Sequence, residues 1–253
     1  MSEPGKLEVI PVAGMPQVHA GHDLAELIWG CSTAAGVPVQ ARDVVVVAQK
    51  IVSKSEGAVV DLAAVTPCAE AIRVAGECDK DPRMVEVVLS QSVRIVRIAT
   101  GVLIVETHHG FVCANGGVDA SNMDADNLIT LLPEDPDRSA KRIRDGILAL
   151  AGEQVAVIIS DSFNRPWREG SINVAIGVAG MHPLKDLRGL PDDRGRALTS
   201  TIVALADELA SAAQLVMGER GRVPAALVRG VQYQESDVGW APLKRDPARD
   251  LFR

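Results

Sequence analysis

The chain has 253 residues, 47% of them hydrophobic and 23% charged, enough apolar material to bury a core as one large domain or two modest ones. Its formal charge of −7 argues against a nucleic-acid-wrapping protein, because neutralising phosphates needs a net basic face. No apolar run approaches the ~20 residues that span a bilayer, and MSEPGKLEVIPV lacks the basic and apolar regions of a signal peptide. The expectation is a cytoplasmic protein with no nucleic-acid or membrane partner, whose local arginines serve a small anionic ligand.

LEVIPVAGMP (7–16) reads as a strand ending in a glycine-containing turn. DLAELIWGCSTAAG (23–36) reads as a helix, with Asp23 at its start and Gly36 beyond its end. DVVVVAQKIVSKSEG (43–57) opens as a strand buried on both faces, since Val44 to Val47 show no alternation. DPRMVEVVLSQSV (81–93) places Met84, Val87 and Val88 on one helical face. VRIVRI (93–98) and VLIVET (102–107) form a hairpin about Ala99-Thr100-Gly101. PDRSAKRIRDGILALAG (136–152) is a helix directing Ile143, Ile147, Leu148 and Leu150 inward, and QVAVIISDS (154–162) is a second buried strand. A helix over 199–218, a strand over 225–231 and a polar surface arm complete the reading. Cys31, Cys68, Cys78 and Cys113 fit no metal-binding spacing and read as small buried hydrophobes.

The chemistry concentrates where apolar strands end. Asp161 and Ser162 follow VAVII at the carboxyl end of a strand, where open α/β sheets present ligand-binding groups. A lone aspartate there is more often a turn cap. GFVCANGGVDASN repeats the pattern, however, with Asp119 and Asn122 after Gly116-Gly117. Two strand-end carboxylates and a hydroxyl suit magnesium or manganese, which share their shells with water and phosphate. Lys50 and Lys54 follow the valine run, Arg83 opens a helix, and Arg165 and Arg168 follow Asp161. These four positions, Lys50, Arg83, Arg165 and Arg168, are the candidates for holding substrate carboxylates or phosphodiester, on charge alone. Neither GxxxxGK[ST] nor GxGxxG occurs, so a nucleotide site would be of neither P-loop nor Rossmann design. The adjacent His108 and His109 would point opposite ways in a strand and are poor joint ligands.

Taken together, AQKIVSKSEG, KDPRMVEVVL, ETHHGFVCANGGVDASN, SDSFNRPWREG, VAIGVAG, DLRGLPDDRGR and ADELASAAQLVMG resemble, in this order, the coenzyme F420-0:γ-glutamyl ligases over roughly residues 7–231. The resemblance implies a mixed α/β (α+β) fold peculiar to that family, with mixed sheets flanked by helices. It implies one ligase unit over residues 1–253, with room for two closely packed subdomains and no C-terminal nitroreductase-like domain. The implied activity is GTP-dependent addition of L-glutamate to the phospholactyl tail of coenzyme F420-0 by a homodimer, with Mg2+ or Mn2+ and K+ as a further candidate cation. Asp119, Asp161 and Ser162 match metal-binding and catalytic positions, with Glu219 a further metal position. Gly14, Met15, Pro16, Gln17, Val18, Gln49, Lys54 and Asn122 match nucleotide-contacting positions. So does the late loop Met217, Gly218, Glu219, Arg220, Gly221, Arg222, Val223 and Pro224. Ser162 stands where threonine is usual, which keeps the hydroxyl, and Asn164 where glycine is common. A metal-dependent phosphohydrolase and a non-catalytic GTP-binding protein are the alternatives.

Overall fold

The computed structural model describes residues 5–120, 127–218 and 221–250. In chain order, the first part contains β1 (Glu8–Pro11), α1 (Leu24–Ala34), β2 (Val44–Ala48), α2 (Gln49–Glu56), β3 (Val59–Asp61), α3 (Ala69–Cys78) and α4 (Pro82–Ser90). The middle contains β4 (Ser92–Ala99), β5 (Val102–Thr107), β6 (Val112–Ala114), β7 (Leu128–Thr130) and α5 (Pro136–Ala151). The last part contains β8 (Ala156–Arg165), β9 (Arg168–Ala179), β10 (Lys185–Asp186), β11 (Ile202–Val203), α6 (Leu205–Met217) and β12 (Ala225–Arg229). This is the mixed α/β architecture expected.

The run of four valines dictates the centre. Neighbouring strand residues point to opposite faces, so a strand whose four valines are all fully buried needs cover on both sides. β2 occupies the middle of a five-stranded sheet of order β1-β12-β2-β8-β9, in which β2 and β8 run parallel and the other neighbouring pairs antiparallel. Val45, Val47, Val157 and Ile159 pack on one side with Ile28 of α1 and Ile143 and Ile147 of α5. Val44, Val46, Ala156 and Ile158 pack on the other with Leu209, Ala210 and Ala213 of α6. A second body of apolar residues joins α3 and α4 to β5 and β7 through Val74, Val85, Val88, Leu103 and Ile129.

β9 is an edge strand, and helix carboxylates cover its open backbone. Ala175 N–H donates to Asp207 at 2.9 Å and Val178 N–H to Asp137 at 2.8 Å. Burial raises both carboxyl pKa values, with the backbone donors acting against it. Asp137 also accepts from Trp240 N–H at 3.0 Å, and the Trp240 ring lies 4.3 Å from that of Phe111. Those contacts pin the C-terminal arm to the surface between α5 and β6.

Several expectations change. The helix placed at 199–218 begins only at Leu205, because the β-branched residues Thr201, Ile202 and Val203 disfavour a helix and Ile202–Val203 pair with β10 as β11. Leu148 and Leu150 are exposed: Leu148 is off the Ala140–Ile143–Ile147 stripe and Leu150 falls in the last turn. Val85 rather than Met84 is fully buried in α4. Cys78 and Cys113 are buried and Cys31 is half-buried, but Cys68 is exposed, its sulfur accepting from Ala71 N–H at the start of α3. Among the described residues, no helix is long and apolar enough to cross a membrane.

Candidate functional site

β2 and β8 end their parallel pairing at Ala48 and Ser160. From there β2 turns directly into α2, while β8 runs on as the first arm of a hairpin with β9. The divergence opens a cleft of about 780 Å³ at the carboxyl ends of the two strands, the position at which α/β sheets bind ligands. Four segments close around it: the turn after β1, the first turn of α2, the glycine-rich turn after β6, and the segment joining α6 to β12. Pro224 O accepts from Ala48 N–H at 2.8 Å, which fixes the last of these against the end of β2.

α2 begins with no side-chain cap, and Gln49, Lys50 and Ile51 of its first turn face the cleft. An uncapped helix start offers N–H groups and positive partial charge to an anion. α2 is held from behind. Gln49 is buried, and its amide nitrogen donates to Leu131 O at 2.9 Å and to Ser53 Oγ at 2.6 Å; Ser53 Oγ itself donates to Leu131 O. The Gln49 side chain therefore anchors the helix to the segment after β7.

Asp119 is set by the turn Asn115-Gly116-Gly117, all three with positive φ. A Cβ on Gly117 would lie 2.6 Å from Leu132, so a glycine is required there. A bridge to Thr130, with Thr130 N–H donating to Asp119 O at 2.8 Å, then fixes the Asp119 backbone. Its carboxylate meets Lys50 Nζ at 2.7 Å. Asp161 and Ser162 are neighbours in a strand and so address opposite faces of the sheet. Asp161 shares its face with the Cys113 region, and its charge is the second cause, after burial, of a Cys113 thiol pushed up to about 12. Ser162 faces α6, its hydroxyl donating to Asn173 Oδ1 at 2.8 Å.

The structure brings together most of the residues singled out in the sequence. Met15, Pro16, Gln17, Val18, Gln49, Lys50, Lys54, Asp119, Asp161 and Ser162 line the cleft, as do Met217, Gly218, Arg222, Val223 and Pro224. Gly14 and Gly221 lie in the same segments without lining it. Asn122, Glu219 and Arg220 lie outside the described residues. The three arginines expected on charge alone to hold substrate do not line the cleft. Arg83 is bound by both oxygens of Asp81, and Arg165 and Arg168 sit at the β8–β9 hairpin tip, Arg165 donating to Glu169 O. Asn173 and Gln214 also line the cleft; nothing in their local sequence announced it, since each depends on how β9 and α6 cross β8.

A divalent cation fits this donor set. Asp119 from the turn after β6 and the adjacent Asp161 and Ser162 of β8 line one cleft, where β2 has left the flank of β8, and the Lys50 ammonium already sets a positive charge against Asp119. Lys50, Lys54 and Arg222 supply the cationic side suited to phosphate. Burial pushes the Cys113 thiol up to about 12, which disfavours the thiolate that a nucleophile or metal ligand would need. Cys113→Ser is expected to retain turnover and to cost about 1–2 kcal/mol in stability for the buried hydroxyl. Steady-state rates with thermal melts check this; loss of turnover in the folded protein would contradict it.

Residues 14–230 match the family model for F420-0:gamma-glutamyl ligase. Similar curated proteins carry the name Coenzyme F420:L-glutamate ligase. That of Methanothermobacter thermautotrophicus is 46% identical, over 98% of this chain and 99% of the relative. The Methanocaldococcus jannaschii protein is 42% identical, over 100% and 99%, and the Haloarcula marismortui protein 40% identical, over 98% and 96%.

Proposed function

The chain belongs to the F420-0:gamma-glutamyl ligase family, and from that premise we propose that it joins L-glutamate to coenzyme F420-0 with GTP as the phosphoryl donor. It is a ligase of coenzyme F420 biosynthesis. The observation that carries the finer reading is the union in one cleft of Asp119 and Asp161 with Lys50, Lys54 and the open start of α2. This is the charge pattern that a metal-bound triphosphate requires.

A carboxylate resists attack by an amine until one of its oxygens becomes a leaving group. In the proposed route a carboxylate oxygen of the phospholactyl tail attacks the γ-phosphorus of GTP, the bond to the β-bridging oxygen breaks, and GDP departs. The neutral amine of glutamate then adds to the acyl-phosphate carbonyl and expels inorganic phosphate, leaving an amide and releasing one proton. Asp119, Asp161 and Ser162 would hold Mg2+ or Mn2+, which when bound neutralises charge on the phosphates. Lys50 and Lys54 add positive charge beside them, and the first turn of α2 offers backbone N–H groups to the phosphate oxygens. The cleft aligns the two reacting groups, and no covalent nucleophile from the protein is needed. A heavy-oxygen label in the acceptor carboxylate tests the route. One labelled atom should appear in the released phosphate; unlabelled phosphate with amide formed would refute an acyl phosphate.

The resemblance further suggests a homodimer, which exposed Trp167, Leu190, Ile202 and Leu215 would help to form. Light scattering should then give twice the 26.8 kDa chain mass. A single-chain mass in an active sample would refute the dimer and leave the ligase reading intact.

A further inference from the structure

We infer that Asn173 is a positioning residue, turning the Ser162 hydroxyl so that its lone pairs face the cleft. The inference rests on the proposed reading of Ser162 as a cation ligand. Ser162 has one hydroxyl proton, which it donates to Asn173 Oδ1 at 2.8 Å. With that proton committed, only acceptor lone pairs remain toward anything bound on the open side. A freely rotating hydroxyl would instead turn its proton toward an approaching cation in part of its conformers.

The Asn173 amide is itself fixed. Its Nδ2 donates to Gln214 Oε1 at 2.9 Å and more weakly to Ser160 Oγ at 3.4 Å. Its backbone carbonyl accepts from Ser211 Oγ at 2.7 Å, so α6 grips both the side chain and the main chain. Asn173 stands opposite Ser162 in the β8–β9 register and is 5% exposed. A buried amide is tolerated only when its donors and acceptor are satisfied, and here the acceptor is satisfied by Ser162. Ser160, Ser162, Asn173 and Gln214 line the same wall of the cleft. The arrangement is that of an outer partner aiming a metal ligand.

Mn2+ affinity, measured by calorimetry on the full chain with saturating β,γ-imido analogue of GTP, tests this. Asn173→Leu removes the acceptor at similar volume and is expected to weaken Mn2+ binding about tenfold. Asn173→Asp keeps an acceptor for the same proton and adds a negative charge beside the site, so the affinity should be retained or increased and never fall as in Asn173→Leu. In a Ser162→Ala background Asn173→Leu should have no further effect, because Asn173 acts only through the hydroxyl. An equal loss in both backgrounds, or a lowered melting temperature with unchanged Mn2+ affinity, would overturn the inference. If Ser162→Ala weakens Mn2+ binding and Asn173→Leu does not, this inference alone falls. If Ser162→Ala leaves the affinity unchanged, the cation reading of Ser162 falls with it. Asn173→Ala, which removes the same acceptor without bulk, takes the same cycle if the leucine variant does not fold.

Discussion

Asp161→Asn is expected to lower turnover by roughly a hundred- to a thousandfold, the scale on which a single preorganised electrostatic partner acts, while the protein remains folded. The substitution keeps the shape of the side chain and removes one negative charge. Asp161 is half-buried at the point where β8 leaves β2, so the amide can be accommodated without disturbing the sheet. On the proposed reading, the lost charge is one that the metal and the triphosphate require together. Metal-dependent binding of GTP should therefore weaken along with turnover, and a cooperative melting transition of the metal-free protein shows that the fold is kept. Calorimetry showing unchanged affinity for the metal–GTP pair would remove Asp161 from the site.

Arg229→Met is expected to cost about 3 kcal/mol of stability, a fall of roughly 10 °C in the melting temperature. Asp43, just before β2, has a side chain only 1% exposed. Arg229 Nε and Nη2 reach its two oxygens at 2.9 and 2.8 Å, and Nη2 also donates to Pro38 O. Without the guanidinium, the carboxylate stays buried with Gln40 N–H donating to it, and a single removed partner is the costly case for a buried pair. The double variant Asp43→Leu, Arg229→Met should recover much of the loss, since it buries no unpaired charge. Arg229 pairs near the amino end of β2, away from the cleft at Ala48; GTP binding below the melting transition should be unaffected. A single variant melting within a degree or two of the parent would show that the pair does not hold β12 to β2.

The valine run made β2 legible because burial on both faces removes the alternation that a half-wet strand shows. The capping residues Asp23 and Gly36 bounded α1, and Gly101 placed the β4–β5 hairpin, because each meets a local backbone need. β9 was missed, although SDSFNR already alternates half-buried Asp161 and Phe163 with exposed Ser162 and Asn164, the period of a strand carried on into a hairpin. α2 was missed because it follows β2 without a break and begins with no side-chain cap, leaving only Gly57 at its carboxyl end to mark it. Of the cleft lining, the carboxylates and lysines were legible as charged groups at strand ends, and the match of consecutive loop motifs supplied their company. The arginines were not, since charge carries no distance: Arg83 closes on its neighbour Asp81, and Arg165 turns to its own hairpin. Asn173 and Gln214 reach the cleft only through the crossing of β9 and α6, a tertiary relation that no local pattern encodes.

Glutamate ligation driven by GTP is measured most directly by the coupling of the two reactions. The chain is incubated with F420-0, GTP and manganese, with and without L-glutamate, and GDP is quantified beside the mass of the deazaflavin product. GDP is expected to accumulate in step with a product heavier by a glutamyl residue, and both are expected to depend on glutamate. GDP and phosphate released at the same rate without acceptor or glutamate, with the acceptor mass unchanged, would mark a phosphohydrolase and contradict it; a stable GTP complex with all substrates present would mark a binding protein and contradict it equally.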